Sequence, residues 1–242
     1  MNARALKNND QGAIPGSASA DAITAEVPDL SVLGTTALLF EAPGMTMTLE
    51  TQQRIWALSE RTSAWPEIRE AVSGMNNLML VFRQPPRDLN GLRQRLVETW
   101  TSIQPRSLEG RTLELPVVYG GEGGPHMADV VAHTGLSIDE IVAIHSAPTY
   151  PVYALGSHPG YCYLGGMDPR IATPRRKAPV LSIPGGAVSI GGFQTGVSAS
   201  TGPSGWNTIG TTRMVFFDPT REMPALLQPG DRVRFRVEKV IR

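Results

Sequence analysis

Glycine is concentrated in the second half of this chain, and short runs of β-branched residues alternate with turn signals there. Eighteen of the 25 glycines lie from Gly120 onward. The apolar runs are too short for helices, and the last of them alternates with a period of two. They span residues 116–119, 180–183, 187–190, 214–217 and 232–237. Many short strands of this kind indicate a barrel or a sandwich, so we predict a mostly-β domain over residues 111–242.

The first half is organised differently. Residues 1–28 contain few large apolar side chains, so we predict a disordered tail there. Residues 29–110 alternate strand-like runs with runs at helical spacing, which predicts a small α+β domain. Thr48 is the predicted N-cap of the first helix. The predicted strands lie near 30–34, 36–41 and 77–83, and the predicted helices cover 49–61 and 88–100.

Helical residues interrupt the β-rich half once, between about 126 and 144. Ser137 and Glu140 have the spacing of a capping box, in which each side chain accepts a hydrogen bond from a free backbone amide at the start of a helix. We therefore predict a helical insertion in the barrel, with a helix start at Ser137.

Composition excludes several classes of function. Twenty-two basic residues balance 22 acidic residues, so no broad attraction for nucleic acid or for an anionic membrane is expected. The single cysteine, Cys162, allows no internal disulfide and fits a cytoplasmic protein. The histidines do not pair at a ligand spacing, so no metal site is predicted. No leader peptide or membrane span is expected either.

Several short stretches contain chemically useful groups, and each has two interpretations. Residues 119–125 form a glycine-rich turn before a helix, which is either an anion-binding nest or a plain turn. His145 is either a helix C-cap or a general base. Gln194 and Trp206 border glycines. They either line a pocket, where the glutamine amide hydrogen-bonds to a ligand and the tryptophan ring stacks on it, or they belong to a hairpin turn and to the buried core respectively. Cys162 is either a nucleophile or a small buried residue.

The order and spacing of these pieces are more specific than any one of them. The ordered motifs are 119–122, 136–145, 150–153, 159–166, 172–175, 183–186, 194–196, 205–206, 209–210, 217–219 and 227–233. This series resembles the allophanate hydrolase subunit 1 family, also called the KipI family or the family of the 5-oxoprolinase B subunit. The resemblance runs from about Asp29 to the C-terminus.

The resemblance implies an N-terminal α+β domain followed by a cyclophilin-like β-barrel domain. It implies a subunit of an ATP-dependent amide-ring hydrolase that opens 5-oxoproline to glutamate. A sister subunit, similar to allophanate hydrolase subunit 2 or to the C subunit of 5-oxoprolinase, is the implied partner. ATP is then bound with or by that partner, since the chain has no nucleotide-binding motif of its own. The alternatives are an amide-hydrolysing or carboxyl-transfer subunit of the allophanate hydrolase or urea carboxylase type with an altered substrate, and a non-catalytic inhibitor of a histidine kinase.

A small amide substrate needs donors for its carbonyl oxygen and an acceptor for its N–H in a dry cleft. Under the resemblance we predict that His145 and Gln194 are catalytic. The predicted substrate-binding residues are His158, Pro159, Gly160, Tyr163, Gly165, Arg175, Thr195 and Trp206. We predict that His145, Gln194 and the loop 156–166 share one hollow at the mouth of the barrel, with the loop as a pocket wall.

The chain also departs from the family pattern. The family tends to have arginines at Asn76, Val180, Ser182 and Thr211, an aromatic residue at Ser157, proline at Cys162, Tyr-Pro at Ser198 and Ala199, and glutamate at Thr201. Arginine grips carboxylate or phosphate through two parallel hydrogen bonds, so these losses predict an altered substrate. The arginines that we consider as compensation are Arg175, Arg176 and Arg213.

Overall fold

The computed structural model describes residues 27–44 and 47–242. Its first part is a four-stranded antiparallel sheet with strand order β1-β2-β4-β3 and two helices. The elements are β1 (Asp29–Leu33), β2 (Ala37–Glu41), α1 (Leu49–Ser63), β3 (Ile68–Ser73), β4 (Asn77–Phe82) and α2 (Leu89–Ser102). The predicted tail falls almost wholly on residues 1–26, which lie outside the described residues.

Local signals set the two helices of this part. The Thr48 side chain accepts a hydrogen bond from the Thr51 amide, and Asp88 caps α2 in the same way through the Gly91 amide. Both predicted helices are confirmed. Their apolar faces, including Ile55 and Leu96, are buried against the sheet. Strand β3 was not predicted, because its exposed residues are mostly polar and only its pairing with β4 defines it.

The second part is a closed barrel with strand order β10-β7-β6-β13-β5-β12-β9. The barrel strands are β5 (Thr112–Gly120), β6 (Thr149–Leu155), β7 (Cys162–Leu164), β9 (Ala187–Gly191), β10 (Gln194–Val197), β12 (Asn207–Thr211) and β13 (Arg232–Ile241). β8 (Val180–Ile183) and β11 (Gly202–Ser204) form a separate two-stranded sheet. The predicted β-barrel is confirmed, and closure pairs the last strand, β13, in parallel with the first, β5.

The predicted helical insertion is two helices and not one. They are α3 (Met127–Thr134) and α4 (Ile138–Ser146). Gly135 separates them with a φ of 71°, a left-handed conformation that ends a helix at little cost for glycine. The capping box at Ser137 and Glu140 is confirmed, with both of its backbone amides bonded.

One predicted strand of the barrel is wrong. Residues 214–217 form no ladder, and only Phe217 makes an isolated bridge, to Ala225. Phe216 is nevertheless 1% exposed and packs in the barrel core. The apolar run 214–217 therefore reflects the burial of the Phe216 side chain and not the pairing of a strand.

Helix α1 joins the two parts of the structure. Gln52 Nε2 and Trp56 Nε1 both donate to the backbone oxygen of Tyr153 on β6, at 3.2 and 2.9 Å. The Trp56 and Tyr153 rings meet edge to face at 6.5 Å. Gln52 is fully buried, and both ends of its amide form hydrogen bonds, because its Oε1 also accepts one from the Asn76 backbone amide. The contact holds α1 against the outside of the barrel.

Among the described residues, no helix combines the length and the apolar character that crossing a lipid bilayer requires.

Candidate functional site

One hollow on the barrel is walled by aromatic rings, and we call it the aromatic cleft. Its volume is about 340 Å³. It lies between the loop that precedes β7, the segment 175–179 and the turn between β11 and β12. Its lining residues are Ser157, His158, Tyr161, Tyr163, Arg175, Arg176, Pro179, Ser189, Gly196, Ser198, Pro203, Ser204, Gly205 and Trp206.

Two glycines make room for the rings of this cleft. A Cβ on Gly191 would lie 2.5 Å from the Trp206 ring, and one on Gly196 would lie 2.8 Å from the Tyr161 hydroxyl. Contacts this short do not occur between real Cβ atoms and their neighbours. The glycines of β9 and β10 therefore allow the aromatic side chains to lie directly on the barrel surface.

The rings form a continuous wall. Tyr161 packs edge to face on Tyr163 at 4.9 Å and on Trp206 at 6.2 Å, and His158 stacks at a tilt against Tyr161 at 5.1 Å. The Arg175 guanidinium lies 5.7 Å from the Trp206 ring centroid. Aromatic walls with cationic side chains beside them suit a small, flat, anionic ligand.

Two nitrogens of residues that line the cleft have no hydrogen-bond partner within the described part of the chain. They are His158 Nε2 and Arg176 Nε, and both are withdrawn from solvent. Burial lowers the pKa of His158, which favours the neutral ring. Arg176 pairs through another nitrogen with Asp129. Leaving such a group unpaired costs free energy, so a ligand is favoured that supplies an acceptor for the Arg176 N–H and a partner for His158 Nε2, which donates or accepts according to the tautomer.

The cleft brings together four of the predicted substrate-binding residues, namely His158, Tyr163, Arg175 and Trp206. Pro159 and Gly160 belong to the same loop but do not line the cleft. Gly160 has a φ of 78°, and a Cβ there would lie 2.7 Å from the Phe216 oxygen, so it serves backbone packing. Of the arginines considered as compensation, Arg175 and Arg176 line the cleft and Arg213 does not.

His145 lies inside the barrel and not at its mouth. Its ring is fully buried, with Nδ1 2.8 Å from the Tyr119 hydroxyl and Nε2 2.8 Å from Thr195 Oγ1. The Phe235 ring packs on it at 4.5 Å. Both ring nitrogens are therefore engaged by protein groups. His145 and Thr195 form one buried polar chain, and neither reaches the aromatic cleft.

Gln194 lines a different hollow of about 370 Å³, which we call the methionine cleft. This cleft is mainly apolar and is lined by Met47, Met75, Leu164, Gly165, Gly166, Met167, Pro169, Phe193 and Gln194. Gln194 Nε2 lies 3.4 Å from the Met47 sulfur. Gly165 also borders this cleft, and a Cβ there would lie 2.1 Å from the Tyr153 ring.

The prediction that His145, Gln194 and the loop 156–166 share one hollow is wrong, because His145 is buried in the barrel core. The loop itself is divided: residues within 157–163 border the aromatic cleft, whereas residues 164–166 border the methionine cleft together with Gln194. Gln194, Thr195 and Gly196 are consecutive in β10, yet they border the methionine cleft, the barrel core and the aromatic cleft respectively. Successive strand residues face opposite sides of a sheet, and the barrel closes around one of those sides. Thr195 therefore points into the barrel, whereas Gln194 and Gly196 share its outer side and border two different clefts there.

The structure also bears on the two interpretations of Cys162 and on those of the glycine-rich turn 119–125. Cys162 is fully buried, and burial raises the pKa of its thiol to about 12, which opposes thiolate chemistry. In the glycine-rich turn, a Cβ on Gly120 would meet the Ile241 oxygen at 2.0 Å and one on Gly124 the Ile209 oxygen at 2.4 Å. Neighbouring backbone occupies both positions, which favours the plain turn.

The buried histidine predicts a pH dependence of stability. Burial lowers the pKa of His145 from 6.5 to about 3. Between these values the unfolded state binds one more proton than the native state. The free energy of unfolding should therefore fall by about 1.4 kcal/mol for each pH unit below pH 6.5, with the loss complete near pH 3. Urea titrations of the wild type and of His145→Gln between pH 7 and pH 4.5 test this. Parallel pH profiles for the two proteins would contradict it.

The closed barrel with an aromatic cleft on its surface defines the chain as a β-barrel protein with a candidate binding cleft. Comparison with known proteins then shows its family. The model of the family described as "Carboxyltransferase domain, subdomain C and D" matches residues 28–227. A curated relative, the B subunit of 5-oxoprolinase from Escherichia coli O157:H7, is 44% identical over 208 residues, which cover 86% of this chain and 95% of that protein. The chain belongs to the family of the 5-oxoprolinase B subunit.

Solved structures agree with this fold. The crystal structure of TTHA0988 has a TM-score of 0.69 at 35% identity, covering 84% of this chain and 40% of that chain. The K. lactis urea amidolyase has a TM-score of 0.76 over 89% of this chain and 15% of its own. At 17% identity, the second similarity shows the fold alone.

Proposed function

We propose that this chain is a subunit of an ATP-dependent amide-ring hydrolase that opens 5-oxoproline to glutamate together with a sister subunit. The observation that carries the proposal is the 44% identity to a 5-oxoprolinase B subunit along 95% of that relative. The aromatic cleft supports it, because 5-oxoproline is a small ring with a planar amide and a carboxylate.

The cleft offers a group for each part of such a ligand. The faces of Tyr163 and Trp206 suit the ring, and the Arg175 guanidinium suits the carboxylate. The hydroxyls of Ser157 and Ser198 and the ring of His158 remain for the amide. In this proposal His145 is a positioning residue, since it holds Thr195, next to Gly196 at the cleft, and does not contact substrate.

The reaction also needs ATP and a second protein. The lactam oxygen takes the terminal phosphoryl group of ATP, and ADP leaves. Water adds to the same carbon, and the C–N bond breaks to free the amino group. A second water then hydrolyses the resulting acyl phosphate to glutamate and phosphate. We propose that the sister subunit, which resembles the C subunit of 5-oxoprolinase, covers the cleft and excludes bulk water. A closed site makes each of the polar contacts stronger than it is in water.

The division of the chain also stays a prediction. We propose that residues 29–110 and 111–242 are separate domains and that the second is cyclophilin-like. Two groups of buried apolar side chains support the division, one between the sheet and α1 and α2, the other inside the barrel. The catalytic assignment of Gln194 likewise stays a prediction.

The test is a reconstitution with the sister subunit and the remaining subunit of the hydrolase. We expect ATP hydrolysis that depends on 5-oxoproline and produces glutamate. Arg175→Gln should raise KM about tenfold or more, because one charged hydrogen bond to the carboxylate contributes about 1.5 to 3 kcal/mol. Arg234→Gln, a change at an exposed arginine on β13, is the matched control.

Two outcomes would overturn the proposal. If the reconstituted assembly does not turn over 5-oxoproline, this substrate is wrong. If it turns over 5-oxoproline while Arg175→Gln and Arg234→Gln behave alike, the aromatic cleft is not the substrate site. Inhibition of a histidine kinase by the isolated chain, without any ATP turnover in the assembly, would instead favour a regulator.

A further inference from the structure

A second hollow lies on the other side of the loop that walls the aromatic cleft, and we call it the basic hollow. Its volume is about 400 Å³ and it opens to solvent. The loop 174–178 runs between the two, so Arg175 and Arg176 border both. The lining residues of the basic hollow are Asp129, His133, Thr173, Pro174, Arg175, Arg176, Lys177, Ala178 and Asn207.

Positive charge is in excess in this hollow. Three consecutive cationic side chains, Arg175, Arg176 and Lys177, face a single carboxylate, that of Asp129. Asp129 already pairs with Arg176. The Arg175 and Lys177 side chains are exposed and have no carboxylate partner among the described residues. The chain as a whole is neutral, so this local excess is not a consequence of its composition.

The backbone that presents these charges is held in place. The Pro174 oxygen accepts a hydrogen bond from Asn207 Nδ2 at 2.9 Å, and the Arg176 amide donates to the Gly205 oxygen at 2.7 Å. The loop is thus tied to β12 and to the turn before it. A tethered loop loses less conformational entropy when a ligand binds, which favours a built site over a mobile basic surface.

The side chain of Arg176 gives the most specific indication that this hollow binds a ligand. Its Nε is withdrawn from solvent and has no hydrogen-bond partner within the described part of the chain, although the same guanidinium pairs with Asp129. The Arg176 side chain is 30% exposed, but an N–H that is shielded from water and lacks an acceptor is unfavourable. An anion that enters from either hollow and competes with Asp129 can turn the guanidinium and satisfy this group.

We propose that the basic hollow binds phosphate groups, and that its ligand is the phosphate chain of a nucleoside triphosphate. Three cations against one carboxylate suit a polyanion better than a single carboxylate. The identity of the ligand as a nucleotide rests on the proposed function, whereas the phosphate site rests on the side chains alone. The site lies next to the aromatic cleft, so the phosphate chain and the amide would meet at Arg175 and Arg176.

The probes are tripolyphosphate, ATP and inorganic phosphate, titrated into the full-length chain without substrate and followed by calorimetry. We expect saturable binding, tighter for tripolyphosphate and ATP than for inorganic phosphate. Lys177→Gln should weaken tripolyphosphate binding about three- to tenfold, and Arg175→Gln by a similar factor. Asp129→Asn should tighten it about threefold, because it removes the opposing charge and releases Arg176. Arg234→Gln is the control for non-specific attraction.

The inference is overturned if the wild type does not bind tripolyphosphate saturably. It is also overturned if Arg234→Gln weakens binding as much as Lys177→Gln does, or if Asp129→Asn weakens it, because the attraction is then diffuse. Equal affinity for ATP and tripolyphosphate supports a phosphate site that does not read the base. Binding of inorganic phosphate alone overturns the nucleotide assignment. Phosphate binding without 5-oxoproline turnover defeats only the proposed substrate, and the reverse result defeats only this inference.

Discussion

Replacing His145 by alanine is expected to lower the free energy of unfolding by about 3 to 4 kcal/mol. The ring is fully buried between Tyr119, Tyr150 and Phe235, so its removal leaves a cavity in the barrel core. The Tyr119 hydroxyl also loses its 2.8 Å partner, whereas Thr195 keeps a hydrogen bond to the Ser189 oxygen. Urea denaturation at pH 7 measures the change.

His133→Ala is the matched control for this experiment. His133 is exposed on α3, so its loss should change the free energy of unfolding by no more than about 0.5 kcal/mol. A loss below about 1 kcal/mol for His145→Ala would mean that the ring does not occupy the barrel core. Tyr119→Phe in both backgrounds then isolates the hydrogen bond, since the two changes should be strongly non-additive.

Replacing Gly191 by alanine is expected to destroy the aromatic cleft while leaving the chain folded. The new Cβ would lie 2.5 Å from the Trp206 ring, so the ring must move out of the cleft wall. We expect a loss of about 1 to 3 kcal/mol in stability from overpacking, together with loss of binding in the cleft. Calorimetric titration of 5-oxoproline and thermal unfolding of the same variant measure the two effects.

Gly202→Ala provides the comparison for Gly191→Ala. Gly202 lies on β11, its φ is not in the left-handed region, and a Cβ there would meet nothing within 4 Å. This variant should bind and unfold like the wild type. Unchanged ligand binding in Gly191→Ala, with the expected loss of stability, would show that Trp206 does not form part of the binding site.

The aromatic cleft brings together site residues that are distant in the sequence. Residues from the loop 156–163, from Arg175 and from Trp206 meet in one place, although they are up to about 50 positions apart in the chain. Tyr161 and Ser198 join them there. The aromatic residues and glycines of these segments can be recognised in the sequence. No local pattern, however, shows which of these segments lie together in the folded chain.

The sequence by itself determined the local elements and the class of fold. The caps at Thr48 and Ser137, the helical faces around Ile55 and Leu96, and the alternation of β13 are each set within a few residues, which is the range of backbone hydrogen bonds and side-chain periodicity. Glycine turns between short strands were likewise sufficient to predict a barrel or a sandwich, and the family resemblance selected the barrel.

Only the tertiary structure decided which side chains share a cleft. Barrel closure assigns each strand residue to the inside or the outside, and a shift of one residue exchanges the two. Thr195 therefore lies in the core beside His145 of α4, whereas Gln194 and Gly196 lie on the outer side, where Gln194 contacts Met47 and Gly196 borders the aromatic cleft. That sorting depends on the pairing of strands that are distant in the chain, which no stretch of local sequence specifies.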